Sequence, residues 1–129
     1  MIGRLFLILL ASGLSGPVLS AQESAEIAPD SATIAAGKTI FEGRGLCFSC
    51  HGKAGDGALG PTTKLTGAKE WLHNDGSWAG IAAVITSGVD AEKSKSGNVM
   101  PPLGGARLSP QQVQQVAAYV WSLHRSSEQ

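Results

Sequence analysis

Apolar residues fall into separate stretches along this chain, and each stretch predicts a different element. Leu5-Phe6-Leu7-Ile8-Leu9-Leu10-Ala11 is a continuous run behind the basic Arg4, broken by Gly16-Pro17 and followed by the small residues Ser20 and Ala21. That layout is a secretory signal, and the run is too short to span a membrane comfortably. Residues 1–21 are therefore expected to be removed, with cleavage after Ala21 preferred to cleavage after Ser20. Gln22 to Asp30 is polar and rich in Ala and Glu, a flexible segment over 22–30. Beyond it, Ile34, Lys38 and Phe41 keep a helical period and predict one amphipathic helix from about Ala32 to Gly43, capped by Asp30 or Ser31. Gly37 inside that helix costs about 1 kcal/mol against Ala, which is explained if a second helix approaches closely there.

From Gly52 to Gly67 the period disappears. Gly52, Gly55, Gly57, Gly60, Pro61 and Gly67 predict a long loop. It has no Gly-Lys-Ser/Thr ending and follows no strand, so it is not a phosphate loop. Asp75 to Ser77 then opens a short helix over Trp78 to Thr86, with Ile81, Val84 and Ile85 inward and Gly88 as its stop. Asp90 to Asn98 is polar and aperiodic, an exposed loop. The last helix is the clearest. Ser109-Pro110-Gln111-Gln112 is a capping box with proline at the first helical position. Val113, Val116, Ala117, Val120 and Leu123 then form a buried stripe on about fourteen residues. Tyr119 or Trp121 is expected to rest against Gly37.

The chain has 129 residues, ten basic and ten acidic, which is enough for one domain. Signal removal takes away only Arg4 among the charges, leaving 108 residues and a net charge of −1. Such a chain has no basic field for nucleic acid and no single-sign field to steer a partner.

The candidate chemistry sits at Cys47-Phe48-Ser49-Cys50-His51, which holds both cysteines of the chain. Two thiols one helical turn apart can each add to a vinyl group on a haem edge and place His51 under the iron as an imidazole ligand. Rival readings are a thioredoxin-like dithiol, a zinc site or a plain disulfide. The first needs a βαβ context and the second further ligands, neither of which the sequence offers; the third leaves His51 without a role. The glycine-rich loop would wrap a haem edge, and the carbonyl near Gly60-Pro61 is the expected acceptor for the other ring nitrogen of His51. Met100 is the only methionine besides the initiator, and Pro101-Pro102 stiffens the loop behind it. On such a loop Met100 is the expected distal iron ligand rather than core filler. His73 and His124 are read as surface or helix-end histidines. Trp71, Trp78 and Arg107 are expected either to reach a haem propionate or to serve ordinary packing and solvation.

With those residues in view, Ala32 to Arg125 resembles a class I c-type cytochrome. The matching features are Gly37-Lys38-x-x-Phe41, Cys47-x-x-Cys50-His51-Gly52, Gly60-Pro61, Met100-Pro101-Pro102 and Val116-Ala117-Ala118-Tyr119-Val120. Val99-Met100-Pro101, Arg107-Leu108 and Ala117 to Leu123 are similar to the small haem domains of bacterial terminal oxidase subunits. The resemblance implies an all-α cytochrome c fold over 31–125, with first and last helices crossing near Gly37, one covalent haem c, and 126–129 as a tail. It further implies thioethers at Cys47 and Cys50, axial ligation by His51 and Met100, and a cofactor contact at Pro61. The function it implies is one-electron transfer between redox proteins rather than catalysis, in the periplasm or otherwise exported and soluble. Partners would be a membrane oxidase, a quinol-oxidising complex or a periplasmic dehydrogenase. The alternative is a haem sensor or peroxidase-like protein with an open distal site.

Overall fold

A computed structural model describes residues 28–67 and 70–126. The expected signal peptide, most of the flexible segment and the last three residues lie outside the described residues. Four α-helices carry the fold: α1 (Ser31–Phe41), α2 (Phe48–His51), α3 (Trp78–Ser87) and α4 (Pro110–Ser126). Two 3-10 turns, Pro61–Thr63 and Pro102–Gly105, lie in the connections. Among the described residues the sole extended pairing is one antiparallel bridge, Val89 with Met100. No helix among them is long and apolar enough to cross a membrane.

The helix ends follow local chemistry. Asp30 caps α1, its carboxylate accepting from the Thr33 amide at 2.7 Å. Ser77 caps α3 by accepting from Gly80 N–H at 2.9 Å. At α4 the capping box forms in both directions. The Ser109 amide donates to Gln112 Oε1 at 2.9 Å, and the Gln112 amide donates to Ser109 Oγ at 3.3 Å. The helix runs for 17 residues, beyond the fourteen its apolar stripe suggests.

The core is where α1 and α3 pack on α4. Phe41, Val116, Ala117 and Ala118 are almost wholly buried, and the Tyr119 ring meets Phe41 edge-on with 5.2 Å between centroids. At the α1–α4 crossing, a Cβ on Gly37 would stand 1.8 Å from the Gln115 carbonyl oxygen and 3.0 Å from Tyr119 Cβ. Tyr119, not Trp121, is therefore the aromatic against Gly37. Trp121 instead lies under the Arg125 guanidinium, 4.6 Å from its ring centroid.

Three details differ from the periodicity reading. Lys38 faces solvent and pairs with Glu42, so the inward face of α1 is Gly37, Ile40 and Phe41 with half-buried Ile34. In α3 Ala82 is buried while Val84 is only half-buried. The long glycine-rich segment is not wholly irregular. The amides of Leu65 and Thr66 return to the Gly55 carbonyl at 2.8 and 3.0 Å, closing the loop on itself around the Pro61–Thr63 turn.

Candidate haem site

Between these helices and loops lies a partly open cavity of about 430 Å³. Cys47, Cys50, His51, Pro61 and Met100 all line it, joined by Phe41, Ile81, Val84 and Ile85. Residues predicted from four separate stretches of sequence thus share one site.

Helix α2 is a single turn, and its brevity sets the geometry. It places Cys47 and Cys50 three residues apart as free thiols, with His51 next in line. Cys50 is exposed at the mouth, while burial pushes the Cys47 thiol up to about 11. Leu46, just ahead, holds a left-handed backbone (φ 58°) that is uncommon for a branched side chain.

His51 Nδ1 lies 2.7 Å from the Thr63 carbonyl. A carbonyl only accepts, so Nδ1 carries the proton and Nε2 keeps its lone pair. The expected acceptor near Gly60-Pro61 is thus displaced by two residues. The reason is the turn that Pro61 starts. It brings the Thr63 carbonyl to the imidazole, while the Gly60 carbonyl is taken by Thr63 itself, through its amide at 3.1 Å and its hydroxyl at 2.9 Å. Burial holds the His51 imidazole below its usual range, against the opposing pull of the Thr63 hydrogen bond. The ring is therefore neutral at neutral pH, as a metal ligand must be.

Met100 is fixed through its backbone. Its amide donates to the Val89 carbonyl at 2.9 Å, and its carbonyl accepts from Val89 N–H at 2.7 Å. Gly88 makes this pairing sterically possible, because a Cβ there would come within 2.4 Å of the Met100 carbonyl oxygen and 2.6 Å of the Pro102 nitrogen. Pro101 is extended (φ −65°, ψ 152°), and the following turn is helical in name only. Leu103 and Gly104 within it both take left-handed angles. The Asp90–Asn98 loop is exposed over much of its length but not detached. Asn98 Nδ2 donates to Thr62 Oγ1 at 3.0 Å, joining the segment before Met100 to the one after Pro61.

The outlying aromatic and basic residues divide. Trp78 donates its indole N–H to the Gln114 carbonyl of α4 at 2.9 Å, which makes it a packing residue and not a propionate donor. Arg107 is exposed and outside the cavity lining. Trp71 lines the cavity, with its ring 4.8 Å from His124 and its indole nitrogen against Gly76. His73, read from sequence as a surface or helix-end residue, also lines the cavity, and its Nε2 is buried without a hydrogen-bond partner among the described residues. Sequence offered one faint signal for it, its place two residues after Trp71.

The donor set and the cavity fit a haem. Two thiols, a neutral imidazole and a thioether face a largely apolar space. No group of three or more His, Cys, Asp or Glu side chains suited to a bare metal ion occurs among the described residues.

Comparison with known proteins agrees with this geometry. The family model for cytochrome c matches residues 34–124. The chain is 35% identical over 112 residues to the cbb3-type cytochrome c oxidase subunit FixPc of Rhizobium leguminosarum bv. viciae, covering 82% of this chain and 37% of that protein. It is 36% identical over 92 residues to subunit FixP of Rhizobium etli, covering 70% and 30% respectively. Subunit CcoP of Rubrivivax gelatinosus is 35% identical over 82 residues, 64% of this chain and 24% of that protein. The chain thus spans little more than a third of the length of these relatives, or less. No solved structure matches. The chain belongs to the cytochrome c family, and its cofactor is one covalently bound haem c.

Proposed function

We propose that this chain is an exported one-electron carrier whose haem iron is held between His51 and Met100 and which exchanges electrons with a membrane oxidase. The observation that carries the proposal is the convergence of Cys47, Cys50, His51 and Met100 on one cavity. The haem supplies a one-electron Fe(III)/Fe(II) couple.

Each side chain has a distinct part. The thiols of Cys47 and Cys50 would add across the two vinyl groups, an addition that needs no oxidant. His51 offers Nε2 in a fixed orientation, because the Thr63 carbonyl holds Nδ1–H. Met100 offers a thioether that favours Fe(II) and raises the potential relative to two histidines. Pro61 sets the turn that brings Thr63 to His51 and stands in the cavity wall. With two protein ligands in place no coordination position is left for substrate, which is why the reading is a carrier and not an enzyme.

Exposed Cys50 marks the edge through which electrons would pass. Among the described residues, Lys64 and Glu70 are the only charged residues lining the cavity, so docking there would be transient and weakly dependent on salt. The oxidase partner is suggested by the relatives, which are themselves oxidase subunits. A quinol-oxidising complex or a periplasmic dehydrogenase would be the electron source. Export rests on the residue pattern of 1–21.

Carbon monoxide tests the reading. The reduced holoprotein should fail to bind it during rapid mixing. Fast, saturable binding would mean an open distal site and would favour a sensor or peroxidase-like protein.

A further inference from the structure

We infer that the hydrogen bond from Asn98 to Thr62 is a latch between the loops that support the two axial ligands, and that it sets how readily Met100 gives up its place to an external ligand. The inference deepens the carrier reading above and rests on Met100 being bound to the iron. It starts from how little else ties down the chain ahead of Met100.

Among the described residues, the hydrogen bonds of residues 90–98 stay within the loop, with one exception. Lys93 bonds to Asp90 through both its amide and its ammonium, and the Ser94 amide donates to the Asp90 carbonyl at 3.0 Å. Ser94 Oγ donates to the Asn98 carbonyl at 2.7 Å, and the Asn98 amide donates to Ser96 Oγ at 3.2 Å. The backbone of Asn98 is thus fixed from inside the loop, and its side chain points out of it. Asn98 Nδ2 donates to Thr62 Oγ1 at 3.0 Å, between residues 36 positions apart in sequence.

The two ends of this bond stand beside the two ligands. Thr62 is the middle residue of the Pro61–Thr63 turn, and its neighbour Thr63 presents the carbonyl that holds His51 Nδ1 at 2.7 Å. Asn98 lies two residues before Met100, whose own amide and carbonyl are tied to Val89 at the end of α3. Met100 is therefore suspended between α3 on one side and the turn beside His51 on the other. Both Thr62 and Asn98 belong to the cavity wall.

The two attachments are unequal. Val89 contributes two backbone hydrogen bonds, whereas the latch is one side-chain bond between an exposed threonine and a half-buried asparagine. An external ligand reaches the iron only after the sulfur leaves, and the loop loosens first where it is held least. Thr62 and Asn98 are positioning residues: they touch neither iron nor sulfur and act through the loop that carries Met100. Losing one partly exposed hydrogen bond shifts such an open–closed equilibrium by about two- to tenfold.

The experiment follows imidazole binding to the ferric holoprotein by stopped flow, where the rate is first order in imidazole and reports the open fraction. Thr62→Val and Asn98→Ala should each raise that rate by about two- to tenfold. Thr62→Ser, which keeps the hydroxyl, should stay close to wild type. The double variant Thr62→Val/Asn98→Ala should be no faster than the faster single one, because the two residues share one bond. The resting methionine–iron band should persist in all four, since the closed state is unchanged. Should one single variant fail to fold, the other still has to raise the rate. Wild-type rates in the single variants would overturn the inference, and so would single effects that multiply in the double variant or a Thr62→Ser rate equal to that of Thr62→Val. A wild-type protein without the methionine–iron band would instead sink the carrier reading itself.

Discussion

Val89 and Met100 exchange both backbone hydrogen bonds, at 2.7 and 2.9 Å, across eleven residues of chain. The residue proposed to bind the iron is thereby anchored to the end of α3, whose own face lines the cavity. Gly88 is the hinge of this arrangement, with φ 67° and the Met100–Pro102 backbone lying where a side chain would go. Gly88→Ala is expected to push the Met100 segment away. The protein should still bind haem covalently, but its far-red methionine–iron band should weaken or vanish. A variant with the wild-type band would show that the bridge does not position Met100.

That relationship also marks where sequence reading stops. The helices were legible because their signals are local. A capping box at Ser109 and Gln112, a serine ahead of α3 and an apolar period each act within a few residues. The attachment motif was legible for the same reason. What sequence missed depends on chain segments meeting in space. The Val89 bridge leaves no periodic trace, because one residue pair has no pattern. The acceptor for His51 shifted from Gly60-Pro61 to Thr63 because the turn after Pro61 redirects the carbonyls. Gly88 was legible as a helix stop, but not as the seat of the Met100 loop.

Gly37→Ala should destabilise the holoprotein. Alanine gains about 1 kcal/mol in helix propensity. Against that, its Cβ would meet the Gln115 carbonyl oxygen at 1.8 Å, a backbone atom that no rotamer change can move. Overpacking of this kind costs about 1–3 kcal/mol or more, so the clash wins. The thermal midpoint should fall by roughly 4–8 °C for each net kcal/mol lost. A midpoint at or above wild type would mean that α1 and α4 separate without cost.

The haem should be required for the fold. A sealed void of 430 Å³ would cost about 10 kcal/mol at ~24 cal/mol per Å³, and less where water enters the open mouth. That is comparable with the whole stability of a domain, about 5–15 kcal/mol. The Cys47→Ser/Cys50→Ser variant made without haem should show weak helical circular dichroism and no cooperative melting. A sharp cooperative transition would contradict this.

Asp30 should make stability depend on acid pH with a definite sign. The Thr33 amide holds its carboxyl below the ordinary 3.8. A depressed folded value gives stabilisation that is complete above the ordinary value and lost as pH falls through the folded one. Asp30→Ala should therefore melt a few degrees below wild type near neutral pH, with the gap closing only below about 3.8. Closure between pH 7 and 5 would assign the effect to another group.

The central claim is that Met100 completes the iron's coordination opposite His51, and the ferric absorption spectrum tests it most directly. The wild-type holoprotein should show a weak far-red band, marking methionine sulfur on ferric iron, and Met100→Ala should lose it with covalent haem retained. A wild-type spectrum without that band, or a Met100→Ala spectrum that keeps it, would mean that Met100 is not bound to the iron.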